Sequence, residues 1–296
     1  MEKVSYAGWP NCIRLANEQI ELIITTDVGP RIIRLAFLGG VNEFHEFPDM
    51  VGKTGGEEWR IYGGHRLWHS PEVKPRSYGP DNTPIKARFE ENVLHLIQPV
   101  EALTGIQKEM EIRLSPDSAH VQVTHRLRNT GAWAVELAAW ALSVMAPGGM
   151  GIVPQTQRHT VEDLLPNRSI TLWPYTKMND PRWQWGDRYV CLHQDPECAD
   201  PTKFGISAED GWCAYAHDGR LFLKKFQYQA DKSYPDNGCS VEMYTNENFL
   251  ELETVGPLQM LAPEGGTVEH VEDWYLFRDV AVSDEESITR KVLPLL

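Results

Sequence analysis

Apolar and polar residues alternate with a period of two along most of this chain, the spacing of half-buried strands rather than of helices. Ile20-Glu21-Leu22-Ile23-Ile24-Thr25-Thr26 and Arg31–Phe37 are rich in β-branched residues, and Asp27-Val28-Gly29-Pro30 between them is a turn signal. The same pattern predicts a hairpin of Ile85–Glu90 and Val93–Gln98 about Glu91-Asn92. A second is predicted for Gln107–Leu114 and His120–Leu127 about Ser115-Pro116-Asp117-Ser118. Trp133–Met145 is an apolar run whose flanking turn residues favour a fully buried strand over a helix, despite its alanines. Strand signals continue through Gly211–His217, Leu221–Gln227, Ser240–Tyr244, Phe249–Val255 and Gly266–Arg278. Only the tail reads as helix, with a capping box predicted from Ser283 to Glu286 ahead of Ile288. No linker-like break or fixed-period repeat interrupts the chain. The expectation is one all-β domain over residues 1–296, a large antiparallel β-sandwich closed by a short C-terminal helix.

Two stretches depart from this regularity. Pro154 to Pro201 has little period and carries Trp173, Tyr175, Trp183, Trp185 and Tyr189 among prolines and aspartates. Long irregular segments in compact domains are frequently binding loops. Gly63-Gly64-His65-Arg66-Leu67-Trp68-His69-Ser70-Pro71-Glu72 packs two histidines, an arginine, a tryptophan and a carboxylate between a Gly-Gly pair and a proline. Such flanks favour an irregular or extended backbone. Titratable groups crowded there are costly in a core and useful in a cleft. A solvated loop with ordinary charges is the alternative.

Composition narrows the partners. The 296 residues carry a formal net charge of −14, with 42 acidic and 28 basic side chains. That surface repels phosphate backbones and anionic membranes, so neither nucleic acid nor membrane is an expected partner. A small neutral molecule is. No run reaches the roughly 18 apolar residues of a membrane span. The first residues lack the basic and apolar regions of a secretory signal, so a cytoplasmic protein is expected. Cys12, Cys191, Cys198, Cys213 and Cys239 form no Cys-x-x-Cys pair, which argues against a disulfide framework or zinc ribbon and for reduced, partly buried thiols.

Several segments together resemble the galactose mutarotase-like (aldose 1-epimerase-like) superfamily. They are the strand pair about Asp27-Val28-Gly29-Pro30-Arg31-Ile32, the Gly-Gly-His-Arg-Leu-Trp run at residues 63–68, and Tyr234-Pro235-Asp236-Asn237-Gly238. Glu251-Leu252-Glu253-Thr254-Val255-Gly256-Pro257 and Leu261–Gly266 complete the set. The closest likeness is to a bacterial group of that fold without a defined function. The resemblance spans nearly the whole chain and implies a twisted β-sandwich with a sugar cleft. One departure stands out. The family's His-Pro pair at the end of a central strand, whose histidine donates a proton, is replaced here by Trp140-Ala141-Leu142-Ser143-Val144-Met145-Ala146-Pro147.

The chemistry this implies is ring opening at the anomeric carbon without a cofactor, one group accepting the anomeric proton and another protonating the ring oxygen. Glu251 and Glu253 lie two apart on a strand and share a face, which is either solvent or a polar cleft. The resemblance makes Glu253 the expected base, Glu251 an orienting group, and His65 or His69 the acid. Arg66, Trp68, Glu72, Trp183, Trp185 and Lys224 are expected substrate contacts; Lys224 and Lys225 point to opposite faces, and one must turn inward to a partner. A metal held by His65, His69 and Glu72 is the less favoured alternative, since the His-Glu-x-x-His spacing is absent and the other histidines show no ligand-like grouping. No Gly-x-Ser-x-Gly elbow marks a hydrolase triad. The function expected is a sugar mutarotase or epimerase. The alternatives are a carbohydrate-binding protein without turnover, and an oligosaccharide lyase or hydrolase on the same fold.

Overall fold

The computed structural model describes residues 1–157, 162 and 164–296. In chain order its strands begin with β1 (Glu2–Tyr6), β2 (Trp9–Ala16), β3 (Ile20–Thr25), β4 (Arg31–Phe37), β5 (Gly64–Ser70), β6 (Lys86–Glu90) and β7 (Val93–Ile97). Next come β8 (Ile106–Leu114), β9 (His120–Asn129), β10 (Val135–Met145), β11 (Met150–Pro154), β12 (Ile170–Leu172), β13 (Trp183–Trp185) and β14 (Tyr189–His193). The series ends with β15 (Thr202–Ile206), β16 (Trp212–His217), β17 (Arg220–Phe226), β18 (Val241–Thr245), β19 (Leu250–Val255), β20 (Gln259–Leu261) and β21 (Thr267–Phe277), before helix α1 (Glu285–Lys291).

They form two antiparallel sheets. One has 11 strands in the order β1-β2-β3-β4-β5-β10-β19-β18-β15-β12, with β20 on the end of β10; the other has 10, ordered β13-β14-β11-β16-β17-β21-β9-β8-β7-β6. The principal core lies between them, with Leu67, Phe204, Met243 and Leu252 from the first sheet meeting Met110, Val123, Tyr215 and Trp274 from the second. This is the sandwich that the period-two pattern predicts. Both expected hairpins form, and Glu91 and Asn92 take the left-handed conformation (φ 50° and 64°) that a tight two-residue turn requires. Val135–Met145 is a strand, paired along its whole length and on both sides from Trp140 to Val144. The helix cap is shifted by one residue from the expected box: Asp284 caps, exchanging hydrogen bonds with Ser287 rather than Ser283 with Glu286. All five cysteines are free, and Cys198 alone is not fully buried.

Gly63–Glu72 is not a solvated loop. Gly64–Ser70 is a central strand, every residue of it buried. The Gly-Gly pair makes its entry possible. Gly63 and Gly64 have φ of 108° and 69°, and a Cβ on either would sit 2.1 Å from the His45 carbonyl oxygen or 2.4 Å from that of Ile32. The segment 154–201, expected to be irregular, contains the short strands β12, β13 and β14; its residues 158–161 and 163 lie outside the described ones.

Candidate functional site

Strict alternation along β5 sends Arg66 and Trp68 to the outer face of the first sheet and His65, Leu67 and His69 toward the second sheet. The register carries this across neighbouring strands. Arg66, Leu142 and Glu253 pair in one row that continues to Glu242, and Trp68 pairs with Trp140. Tyr244 pairs with Glu251 on one side and Lys203 on the other. The outward side chains of β5, β10, β19, β18 and β15 therefore make one continuous floor.

That floor bears a cleft of about 440 Å³. Arg66, Trp68, Trp140, Leu142, Lys203, Tyr244 and Glu251 line it from the sheet, while loops add Trp59, Glu72, Tyr78, Trp173 and Tyr175. Flat aromatic faces with a few convergent charges are the usual lining of a site for a small polar ring.

The charges are tightly held. Arg66 Nη2 donates to Glu251 Oε1 at 2.7 Å, and its guanidinium lies over the Trp68 ring, 4.7 Å from the centroid. Arg66 Nε and Nη1 are buried with no protein acceptor, so donors remain for an occupant. Lys203 Nζ lies 2.7 Å from Glu242 Oε2 and 3.1 Å from Glu253 Oε2, flanked by Trp140 and Trp173 at 4.7 and 4.6 Å to their centroids. Trp140 Nε1 donates to the same Glu253 oxygen at 2.7 Å, leaving Oε1 without a partner. A Cβ at position 205 would come 2.4 Å from Cys239 Sγ and 3.3 Å from Glu242 Cγ, so glycine there keeps room beside the carboxylate. Burial pushes Glu242 well above the usual carboxylate range and Glu253 above it as well, against the pull of Lys203. Burial acts to lower Lys203, but Glu242 and Glu253 outweigh it and hold the amine well above the ordinary lysine value.

Of the expected site residues, Arg66, Trp68, Glu72 and Glu251 line this cleft. Glu253 lies directly beneath it, fully buried under Lys203 and Trp140. Glu251 and Glu253 belong to the same sheet as β5, on the face that carries the cleft.

The other expectations need correction. His65 and His69 do not face the cleft, because their odd positions on β5 turn them inward. His65 Nδ1 bonds Ser143 Oγ at 2.8 Å and its Nε2 bonds His125 Nε2 at 2.7 Å. His125 Nδ1 lies 3.0 Å from the His270 carbonyl, which can only accept, so His125 donates there and its Nε2 accepts the hydrogen bond from His65 Nε2–H. Burial holds both rings below the ordinary histidine value, consistent with this neutral relay. Lys224 also points between the sheets, where its Nζ donates to Glu272 Oε1 at 2.9 Å. The inward partner expected of one of the two lysines is thus Glu272. Trp183 and Trp185 stack on each other at 4.9 Å on edge strand β13 of the second sheet, packed on Phe204 rather than lining the cleft.

The proposed metal set of His65, His69 and Glu72 does not converge: Glu72 sits on a loop bonded to Tyr78, and His69 meets Glu101. Nor are the remaining histidines ungrouped. His65, His125 and Glu272 place ligand atoms within 4.8 Å of one another. They could hold a cation only by giving up the His65–His125 hydrogen bond, beside an ammonium that already balances Glu272.

Lys203, Glu242, Trp140 and Tyr244 were not singled out as site residues from the sequence, whereas Trp173 and Tyr175 belong to the irregular stretch expected to be a binding loop and do line the cleft. Lys203 and Glu242 carried a usable signal, a lone charge at one parity of an otherwise apolar strand, the same signal that marked Glu251 and Glu253.

No family model and no curated protein matches the sequence. Solved structures do. A Klebsiella pneumoniae protein described as a candidate aldose 1-epimerase superposes with a TM-score of 0.64 at 12% identity, over 99% of this chain and 85% of that one. A galactose mutarotase-like protein from Lactobacillus casei matches at 0.59 and 10%, over 90% of this chain and 100% of that one. A TPR-domain containing protein from Parabacteroides distasonis matches at 0.61 and 16%, over 92% of this chain; the chain spans about half, 48%, of that protein. At such identities the likeness speaks to architecture, in agreement with the resemblance carried by the sequence motifs. The chain has the galactose mutarotase-like fold.

Proposed function

We propose that this is a carbohydrate-active protein, and that its activity is cofactor-free interconversion of sugar anomers in the cleft above β5, β10, β19, β18 and β15. The observation that carries the reading is the joint presentation of Glu251 and Lys203 among aromatic faces on one floor. A pyranose stacked against Trp68, Trp140 or Trp173 would offer its hydroxyls to Arg66, whose Nε and Nη1 lack acceptors.

Glu251, held by Arg66, accepts the proton of the anomeric hydroxyl as the bond from that carbon to the ring oxygen breaks. Lys203 then donates one proton to the ring oxygen. Rotation about the exposed carbonyl and reversal of both transfers give the other anomer, with no net change in protons. Glu253 and Glu242 hold the ammonium charged and in place. Compared with the role expected from the motifs, Glu253 moves from the reacting group to its support, because it has no surface in the cleft.

The test is polarimetry, or NMR of anomeric exchange, on freshly dissolved neutral aldoses, amino sugars and sugar acids. Acceleration over buffer, lost in both Glu251→Gln and Lys203→Met, is expected. Loss in Glu253→Gln with Glu251→Gln still active would return the base to Glu253. Among the described residues no histidine lines the cleft, and that favours a second reading, a carbohydrate-binding protein without turnover. Saturable sugar binding with no acceleration across the panel would select it.

A further inference from the structure

We propose that the protein has a second ligand site, a pocket on the opposite side of β5 from the cleft, which takes a small monocarboxylate with an apolar body. The inference does not depend on the sugar reading. The pocket has a volume of about 360 Å³ and is lined by His69, Arg76 and Thr104 together with apolar Leu103, Ile106, Val135 and Leu137. This volume lies within the range of small-molecule sites.

His69 is the pointed observation. It is 1% exposed, and its Nδ1 has no hydrogen-bond partner. Its Nε2 lies 3.4 Å from Glu101 Oε2, too poorly placed to count as a hydrogen bond. A buried imidazole nitrogen without a partner is costly unless something visits it. Arg76 adds an open donor: Nη2 is spent on the Pro71 carbonyl at 2.6 Å, while Nε is buried and unpartnered.

The local charge selects an anion. Among the described residues Glu101 is the carboxylate that meets His69, and it is already neutralised, with Lys108 Nζ at 2.6 Å from one oxygen and Thr104 Oγ1 donating to the other at 2.7 Å. Burial acts to raise Glu101, but the charge of Lys108 leads the opposing pull that holds it down at about 2. Among the described residues no carboxylate pairs with Arg76, a positive charge at a pocket in a chain of net charge −14. A carboxylate placed between Arg76 and His69 would accept from the open Arg76 Nε–H and, with the imidazole proton on Nδ1, from the unpartnered His69 nitrogen, while its hydrocarbon part would lie on Ile106, Val135 and Leu137. Leu103, 65% exposed, stands at the rim where an apolar tail would cover it.

Hexanoate is the probe, with hexanol as its neutral counterpart, read by 15N and 1H NMR of labelled histidine side chains in the intact protein. Hexanoate should shift the His69 resonances saturably, and hexanol should bind at least about tenfold more weakly. Arg76→Gln, a substitution at a partly exposed side chain, should weaken hexanoate about tenfold, the loss of one charge-assisted hydrogen bond. Arg66→Gln, in the cleft, should leave the response unchanged. The site is overturned by an unmoved His69 at tens of millimolar hexanoate, by equal responses to hexanoate and hexanol, or by a response that Arg66→Gln removes.

Discussion

Glu242 and Glu253 stand directly opposite one another on β18 and β19, both closed off from solvent, with one lysine ammonium 2.7 Å from the first and 3.1 Å from the second. Two like charges facing each other across a strand pair are unfavourable, and in a dry interior strongly so. Lys203 is therefore the residue on which this part of the sheet depends. Lys203→Met should cost about 3–5 kcal/mol, the usual penalty for stranding buried charge. Adding Glu242→Gln should recover part of that loss. Urea denaturation of both variants measures it, and a single variant as stable as the parent would refute the arrangement.

The same pair sets a pH dependence. The folded value of Glu242 is raised above its unfolded one, so its contribution is full below about pH 4.5 and declines as pH climbs toward the folded value. Glu242→Gln removes this term. Between pH 5 and 8 (a window set by the raised direction) the stability of Glu242→Gln relative to the parent should rise with pH. A difference that stays flat over that interval would contradict the shared burial.

Glu101 behaves in the opposite sense. Its folded value is held down at about 2, so its contribution is present above about pH 4.5 and fades as pH falls toward 2. The parent should exceed Glu101→Gln by about 3 kcal/mol at neutral pH and converge with it on acidification. Denaturation midpoints at pH 7, 4 and 3 test this.

His65 should matter for stability and not for sugar. His65→Ala strands the Ser143 hydroxyl and His125 Nε2 in the core at about 1–3 kcal/mol for each group. Sugar affinity should stay within about twofold of the parent, since His65 faces away from the cleft. Trp173→Ala gives the converse. Its ring lies on a loop over the cleft, and losing it should weaken sugar binding about threefold to tenfold with little change in stability. Calorimetric titration beside urea denaturation separates the two cases.

The architecture was legible because half-buried antiparallel strands write their two faces into alternate positions, and Glu91-Asn92 and Ser115–Ser118 mark their own turns. The site was legible in part. Parity on a strand says which residues share a face, as for Glu251 with Glu253, but not whether that face looks outward or inward. His65 and Arg66 were read together because they are adjacent, yet adjacency on a strand guarantees opposite faces. Lys203 and Glu242 lie far from β5 in sequence and reach the cleft only through sheet order, which local pattern does not contain. The loop aromatics Trp59, Tyr78 and Trp173 depend on how long connections fold back, and no period encodes that.

Leu142 occupies the point between Arg66 and Glu253 in their shared cross-strand row, with its side chain among Trp68, Trp140 and Val255. An imidazole introduced there would project to the cleft side of the sheet, which neither natural histidine of β5 can do without exchanging the two faces of the strand. The route to a histidine proton donor on this scaffold therefore runs through the middle of β10, by a single replacement that leaves the interior relay of Ser143, His65 and His125 intact.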